Sequence, residues 1–490
     1  MNFNSWQYLL FLPIVVLVYF LLPHKVRWAF LLAASYFFYM MWNPWLGILI
    51  LMTSIISYFA AILIRKDPKR KKLYLIITLV ICLGTLFTFK YLTFFLNSIV
   101  DLINLFPVHI DHPSISIILP VGISFYTFQT LSYVIDVYRD KFEPERHFGY
   151  FALYVSYFPQ LVAGPIETPS ILLPQLHEKH RFNLEDFSAG MRHILFGFLL
   201  KVAIADIVGI YVNRVFASLE SAGTVELLVA VILFAFQIYC DFNGYSEIAI
   251  GSARLMGVKL TQNFDDPFVA TSVTEFFRRW HISLTRWFRE YVYIPLGGNR
   301  KGKARQCLSI LIVFTLCGLW HGANWTFITW GFFAGSFMVL ELLFVFPLVK
   351  KSYEKGHNPD EGAIGWARRI VTWLLFIPST ILFRSANMAQ AGLVFAKLFS
   401  GFSANPNDIL GFDWVSLLFV IFGAIVMEAA FHYVYRGKKN EDTPSNEQLG
   451  NVNYMIKEGT IAVVLILVIA SSWIYLVSKQ DVSSFAYFQF

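Results

Sequence analysis

Charge is what this chain has least of. Only 14% of its 490 residues are Asp, Glu, Lys or Arg, against 57% hydrophobic and 18% aromatic; that balance excludes an ordinary soluble domain and leaves room for about a dozen membrane spans. Cysteine is also scarce. Cys82, Cys240, Cys307 and Cys317 show no CxxC spacing and lie in or beside apolar runs, which argues against a disulfide framework and a cysteine zinc site. No HExxH is present, no histidine pair marks a metal site and no Ser-His-Asp order can be assembled, so neither a metal nor a serine triad is expected. Residues 2–6 contain no Lys or Arg and no small-x-small site precedes Lys25 and Arg27, so the run Tyr8 to Leu22 reads as a retained span rather than a cleaved signal. No repeat of fixed period is visible, and the one linker-like stretch is Gly437 to Asn451.

What is present is a succession of apolar runs, near 7–23, 28–42, 45–64, 73–106, 118–137, 191–215, 225–256, 308–318, 324–348, 370–383, 412–435 and 460–478. The formal charge of +7 sits in the short loops between them, which is positive-inside sorting rather than a nucleic-acid footprint. The loop Arg65 to Lys72 has six positive charges against one negative and is expected in the cytoplasm. The other basic loops then fall on the same side, and both termini are expected outside. Tyr150 to Leu173 contains Pro159, Gly164, Pro165 and Pro169, so it reads as a re-entrant or interfacial element. The reading is an all-α polytopic protein of about 12 transmembrane helices in a single membrane domain, 1–490.

Two histidines stand out. His321, in Leu319-Trp320-His321-Gly322-Ala323-Asn324-Trp325, follows an apolar run of 11 residues, about 16 Å of helix, which suggests a position near mid-membrane. A neutral imidazole there can take a proton from an attacking hydroxyl. Trp320 and Trp325 are expected to wall its cavity. His281 lies among Phe277, Trp280, Leu284, Trp287, Phe288 and Tyr291 at three- and four-residue steps, which reads as one amphipathic helix carrying either a satisfied or a functional histidine. Arg279, Arg286 and Arg300 could meet an anionic donor, although sorting explains the same charges. Asp241 and Asn243 interrupt an apolar run; they could orient a histidine or bond one helix to another, and Gly244 suggests a local break.

Four motifs in order carry a resemblance: Phe236 to Ser246 (FQIYCDFNGYS), Arg278 to Thr285 (RRWHISLT), Tyr293 to Arg300 (YIPLGGNR) and Gly318 to Trp325 (GLWHGANW). Tyr157-Phe158-Pro159-Gln160-Leu161, Ala163-Gly164-Pro165, Lys201 with Asp206, and Phe383-Arg384-Ser385 fit the same pattern. Together they resemble the membrane-bound O-acyltransferase family, in its bacterial branch acetylating alginate, peptidoglycan and other exported polysaccharides. The resemblance is dense over 120–330. It implies a ring of helices around a central tunnel, His321 as the catalytic histidine and His281 as a second functional position nearer the cytoplasm. It further implies acetyl-CoA as acyl donor with no bound cofactor, an extracytoplasmic SGNH hydrolase-like partner, and residence in the bacterial inner membrane. The aromatic tail 479–490 resembles that of polysaccharide-acylating systems, with Tyr487 a candidate acyl relay. Two alternatives stand beside this: D-alanyl transfer to teichoic acid from a carrier-protein thioester, and a non-enzymatic transporter lined by His321 and Asp241.

Overall fold

The computed structural model describes residues 1–107, 109–115, 117–400 and 452–478. Among them every regular element is helical, and each expected apolar run lies on a helix except 412–435, which falls outside the described residues, as does Tyr487. Among the described residues eight helices are long and apolar enough to cross a membrane, and Trp6–Leu21 and Met388–Phe399 are shorter apolar ones. The chain is an all-α multi-pass membrane protein. It divides into two compact units, Met1–Arg181 with Val258–Thr261, and Phe182–Gly257 with Gln262–Phe490.

The first unit contains α1 (Trp6–Leu21), α2 (His24–Met40), α3 (Leu46–Lys66), α4 (Lys71–Leu86), α5 (Leu92–Ile103), α6 (Ile123–Tyr138), α7 (Phe148–Ser156) and α8 (Pro169–His177). Helices α4 and α5 join through a π-helical turn, Phe87–Tyr91, into one 33-residue span. Helix α6 is buried on nearly every side. It starts at Gly122, where φ is +74° and a Cβ would stand 2.6 Å from the Leu161 carbonyl oxygen, a place only glycine fits. The proline-bearing segment after α7 is not a spanning helix: residues 157–168 form an irregular, buried connection between two nine-residue helices. Its backbone polarity is absorbed by side chains. Gln129 and Gln160 both donate to the Tyr154 carbonyl, at 2.6 and 2.9 Å, and the Tyr154 hydroxyl donates to the Glu167 carbonyl at 2.9 Å, as buried irregular backbone requires.

The second unit contains α9 (Leu184–Phe198), α10 (Asp206–Ala217), α11 (Thr224–Leu255), α12 (Val273–Arg279), α13 (Ile282–Phe288), α14 (Lys303–His321), α15 (Trp325–Leu340), α16 (Phe346–Glu354), α17 (Gly362–Arg384), α18 (Met388–Phe399) and α19 (Val452–Ser478). Its axis is α11, 32 residues long and buried over most of its length. Gly244 does not break it. A Cβ on Gly244 would lie 2.8 Å from the Gly197 carbonyl oxygen on α9, and one on Gly251 would lie 2.5 Å from that of Gly190. Both glycines serve backbone approach between antiparallel helices.

Polar pairs alternate with these contacts. Asp186 meets Arg254 at 2.7 Å, His193 meets Glu247 at 2.5 Å, and Lys201 meets Asp241 at 2.6 Å, so α9 and its continuation face α11 through a ladder whose rungs are polar and glycine in turn. The first two polar rungs are seven residues apart on both helices. The third is eight residues on along the α9 side and six on α11, and Lys201 lies in the π-helical stretch Leu199–Ala205 that follows α9; a wider turn of this kind accommodates the extra residue.

Candidate active site

His321 is the last residue of α14. The helix has 19 residues, about 28 Å at the usual rise and close to a full hydrocarbon thickness. The half-length helix expected from the 11-residue apolar run is therefore corrected. Lys303, Ala304, Arg305 and Gln306 are good helix formers, and they extend the helix beyond the greasy run that marked it in the sequence. Helix α15 folds back against α14 at very close range: a Cβ on Gly318 would lie 2.1 Å from the Phe327 carbonyl oxygen, and one on Gly331 2.1 Å from that of Phe314. This hairpin sets where the His321 ring can stand.

His281 does not lie on a continuous helix. Helix α12 begins at Ser272, whose hydroxyl accepts from the Glu275 N–H at 3.0 Å, as N-cap residues do. It ends at Arg279, and α13 restarts at Ile282. Between them His281 adopts φ +47° and ψ +53°, the left-handed region that costs a non-glycine residue free energy and collects at functional sites. Three- and four-residue spacing could not show this break, because both short helices keep the same apolar period. Asn263 holds the turn. Its backbone carbonyl accepts from the Ile282 N–H at 2.9 Å, and its side-chain oxygen accepts from the Ser283 N–H at 3.2 Å and the Ser283 hydroxyl at 2.9 Å.

The two imidazoles are neighbours. Their ring centres are 6.5 Å apart at 60°, so the two histidines belong to one site. Phe242 stands edge-on to His281 at 4.6 Å, Trp320 lies 5.8 Å from it, and Trp330 and Phe383 flank His321 at 5.4 and 5.0 Å. His321 borders a partly open cavity with Ile238, Phe242, Trp280, Trp330, Phe376, Thr380 and Phe383 as its other walls. His281 is buried behind it. Burial, and then the neighbouring His321, push His281 well below the usual histidine range, because a charge there would lose its hydration. Its ring is neutral at ordinary pH.

Other expected residues sort themselves around this cavity. Trp280 lines it, and Trp320 is buried against both histidines. Trp325, the first residue of α15, is 52% exposed and does not line this cavity. Asn324 is a cap rather than a tunnel residue: its side-chain oxygen accepts from the Thr326 N–H at 3.1 Å and its amide donates to the Ala386 carbonyl at 2.7 Å. Asp241 accepts from Lys201, which also donates to Asp206 at 2.7 Å, so the helix-to-helix alternative is the one adopted. Asn243 donates to the Tyr239 hydroxyl at 3.2 Å, and Tyr239 packs on Trp280.

The arginines do not converge on the histidines. Arg279 pairs with Glu275 at 3.1 Å and donates to the Asp265 carbonyl at 3.0 Å, Arg286 is half-buried on α13, and Arg300 is exposed in the turn after Gly297 and Gly298. Sequence reasoning missed Asn263, Trp330, Phe376 and Thr380. An asparagine in a loop and aromatics within apolar helices give no local signal; Ile238, Phe242 and Phe383 carried one only as members of quoted motifs.

Comparison with known proteins agrees with this geometry. The profile of MBOAT, the membrane-bound O-acyltransferase family, matches residues 145–385, which include both histidines. The chain is 33% identical to the probable alginate O-acetylase AlgI of Pseudomonas putida over the whole of both chains. It is 32% identical to the peptidoglycan O-acetyltransferase of Helicobacter pylori over 78% of this chain and 76% of that one. It is 30% identical to the teichoic acid D-alanyltransferase of Streptococcus thermophilus over 50% of this chain and 63% of the relative. With two neighbouring histidines beside an aromatic cavity and relatives of this kind along its full length, the chain belongs to the membrane-bound O-acyltransferase family and is an O-acyltransferase of the membrane.

Proposed function

We propose that this enzyme takes acetyl from acetyl-CoA at the cytoplasmic face of the bacterial inner membrane and passes it across for O-acetylation of an exported polysaccharide. The observation that carries this reading is His321 at the wall of a cavity bounded almost entirely by apolar side chains, with a second imidazole 6.5 Å away. In such a site a hydroxyl oxygen attacks the thioester carbonyl carbon while His321 takes its proton. The C–S bond then breaks, and the imidazolium returns the proton to the departing thiolate, which leaves as the thiol. The thioester supplies the driving force, and the walls exclude water that would otherwise consume it. Exposed basic residues at Arg300, Lys301 and Lys303 suit the phosphates of the donor.

The full-length likeness to a probable alginate O-acetylase favours acetyl over D-alanyl, since the D-alanyltransferase matches only half of this chain. The final acceptor is reached through an SGNH hydrolase-like partner outside the membrane, with Tyr487 in the C-terminal tail as the relay that presents acetyl to it. Polysaccharide ester content in cells, at matched protein levels, tests the assignment. His321→Ala is expected to remove at least about 99% of the ester, the scale on which general-base catalysis contributes. Unchanged ester in that variant would refute the role of His321.

A further inference from the structure

The structure also fixes which nitrogen of His281 carries the proton. The side-chain oxygen of Asn263 lies 3.2 Å from the backbone nitrogen of Ser283. A backbone N–H only donates, so the Asn263 atom facing it must be the oxygen and not the amide nitrogen. The opposite end of the amide agrees, since its nitrogen donates to the Ser246 hydroxyl at 3.3 Å. That same oxygen is 3.2 Å from Nδ1 of His281. An amide oxygen cannot donate, so a hydrogen bond between them requires the proton to be on Nδ1. Asn263 is 1% exposed and His281 2%, so water does not compete for either group.

We propose that Asn263 is the positioning residue of the acyl-transfer site, holding His281 as the Nδ1–H tautomer so that Nε2 carries a lone pair. The inference rests on the acyltransferase reading above. Its consequence is electrostatic. In a neutral imidazole the unprotonated nitrogen is the negative end of the ring dipole, and a ring fixed this way can accommodate the positive charge that forms on His321 during the reaction. The other tautomer would put the N–H on Nε2 and reverse that dipole. The left-handed backbone at His281 belongs to the same device: the turn brings the ring, Ser283 and Asn263 together, and hydrogen bonds from four donors to Asn263 offset its strain.

The test uses membrane vesicles containing the full-length protein, its SGNH hydrolase-like partner and the polysaccharide acceptor, with acetyl-CoA as donor, reading thiol release and ester formation against pH at matched protein amounts. Asn263→Ala is expected to lower the rate at least about tenfold, as loss of tautomer control does for other catalytic histidines. Asn263→Asp keeps an oxygen for Ser283 and His281 but places a carboxylate on Nδ1, which raises the proton affinity of His281. The acid limb of its pH profile is expected to move at least about one unit toward higher pH. A purely structural Asn263 gives less protein with the wild-type rate per molecule and the wild-type profile in both variants, and that result overturns the proposal. Wild-type vesicles without His321-dependent thiol release overturn the acyltransferase reading itself, and are recognised before any Asn263 variant is compared.

Discussion

Lys201 shows how a single buried charge is tolerated in this protein. Its ammonium is 1% exposed and lies 2.7 Å from Asp206 and 2.6 Å from Asp241, themselves 5% and 2% exposed. The pairs do not make the protein more stable than apolar packing would, because desolvation offsets most of the attraction. Breaking them is another matter. Lys201→Met strands two carboxylates in the interior, and a loss of about 3–5 kcal/mol is expected, seen as a lower melting temperature of the detergent-solubilised protein; Lys201→Arg, which keeps the charge, is expected to lose less. The sequence marked Asp241 as an interruption of an apolar run and Lys201 with Asp206 as part of the family pattern, but it could not say that they meet. Asp241 and Lys201 are 40 residues apart, and an orienting role for a histidine satisfied the same local facts. Likewise each histidine was legible alone as an ionisable residue among aromatics, whereas their adjacency depends on the α14–α15 hairpin and the turn at His281, neither of which has a periodic signature.

At the scale of elements, glycine decides which helices touch by backbone. Gly190, Gly197, Gly244 and Gly251 sit where a methyl group would meet the facing main chain at 2.5–2.9 Å. The obstacle is backbone rather than a movable side chain, so even a small substituent must part the helices. Gly251→Ala is expected to cost about 1–3 kcal/mol by overpacking, measurable as a fall in melting temperature, with Gly251→Leu more severe. At Gly459 nothing stands within 4 Å of an added Cβ; the same exchange there serves as the control and is expected to leave the stability within about 0.5 kcal/mol of wild type. Apolar runs gave nearly every helix, because twenty greasy residues admit few other structures in lipid. They misjudged α14, whose polar first turn hid its length, and they misread Gly244 as a break, since glycine marks close approach as readily as discontinuity.

For the whole molecule, the ladder between α9 and α11 has a bearing on how the chain enters the bilayer. Helix α11 carries Asp241 and Glu247 into its buried stretch, and an unpaired acidic residue at the centre of a lone helix costs about 2.5–3.5 kcal/mol on insertion. The bases that answer them, Lys201 and His193, belong to the segment made just before. Synthesis therefore lays down the partner first, and α11 leaves the insertion machinery into a neighbour already able to neutralise it. An insertion assay on residues 224–255 alone, against the same helix preceded by 184–223, is expected to show less efficient integration of the isolated helix, and Asp241→Leu is expected to close most of the gap. Equal integration of the two wild-type segments would mean that the pairing forms only after both helices are in lipid. The order of residues along the chain then acts as an assembly schedule, in which a polar feature too costly for one helix becomes the address by which it finds the other.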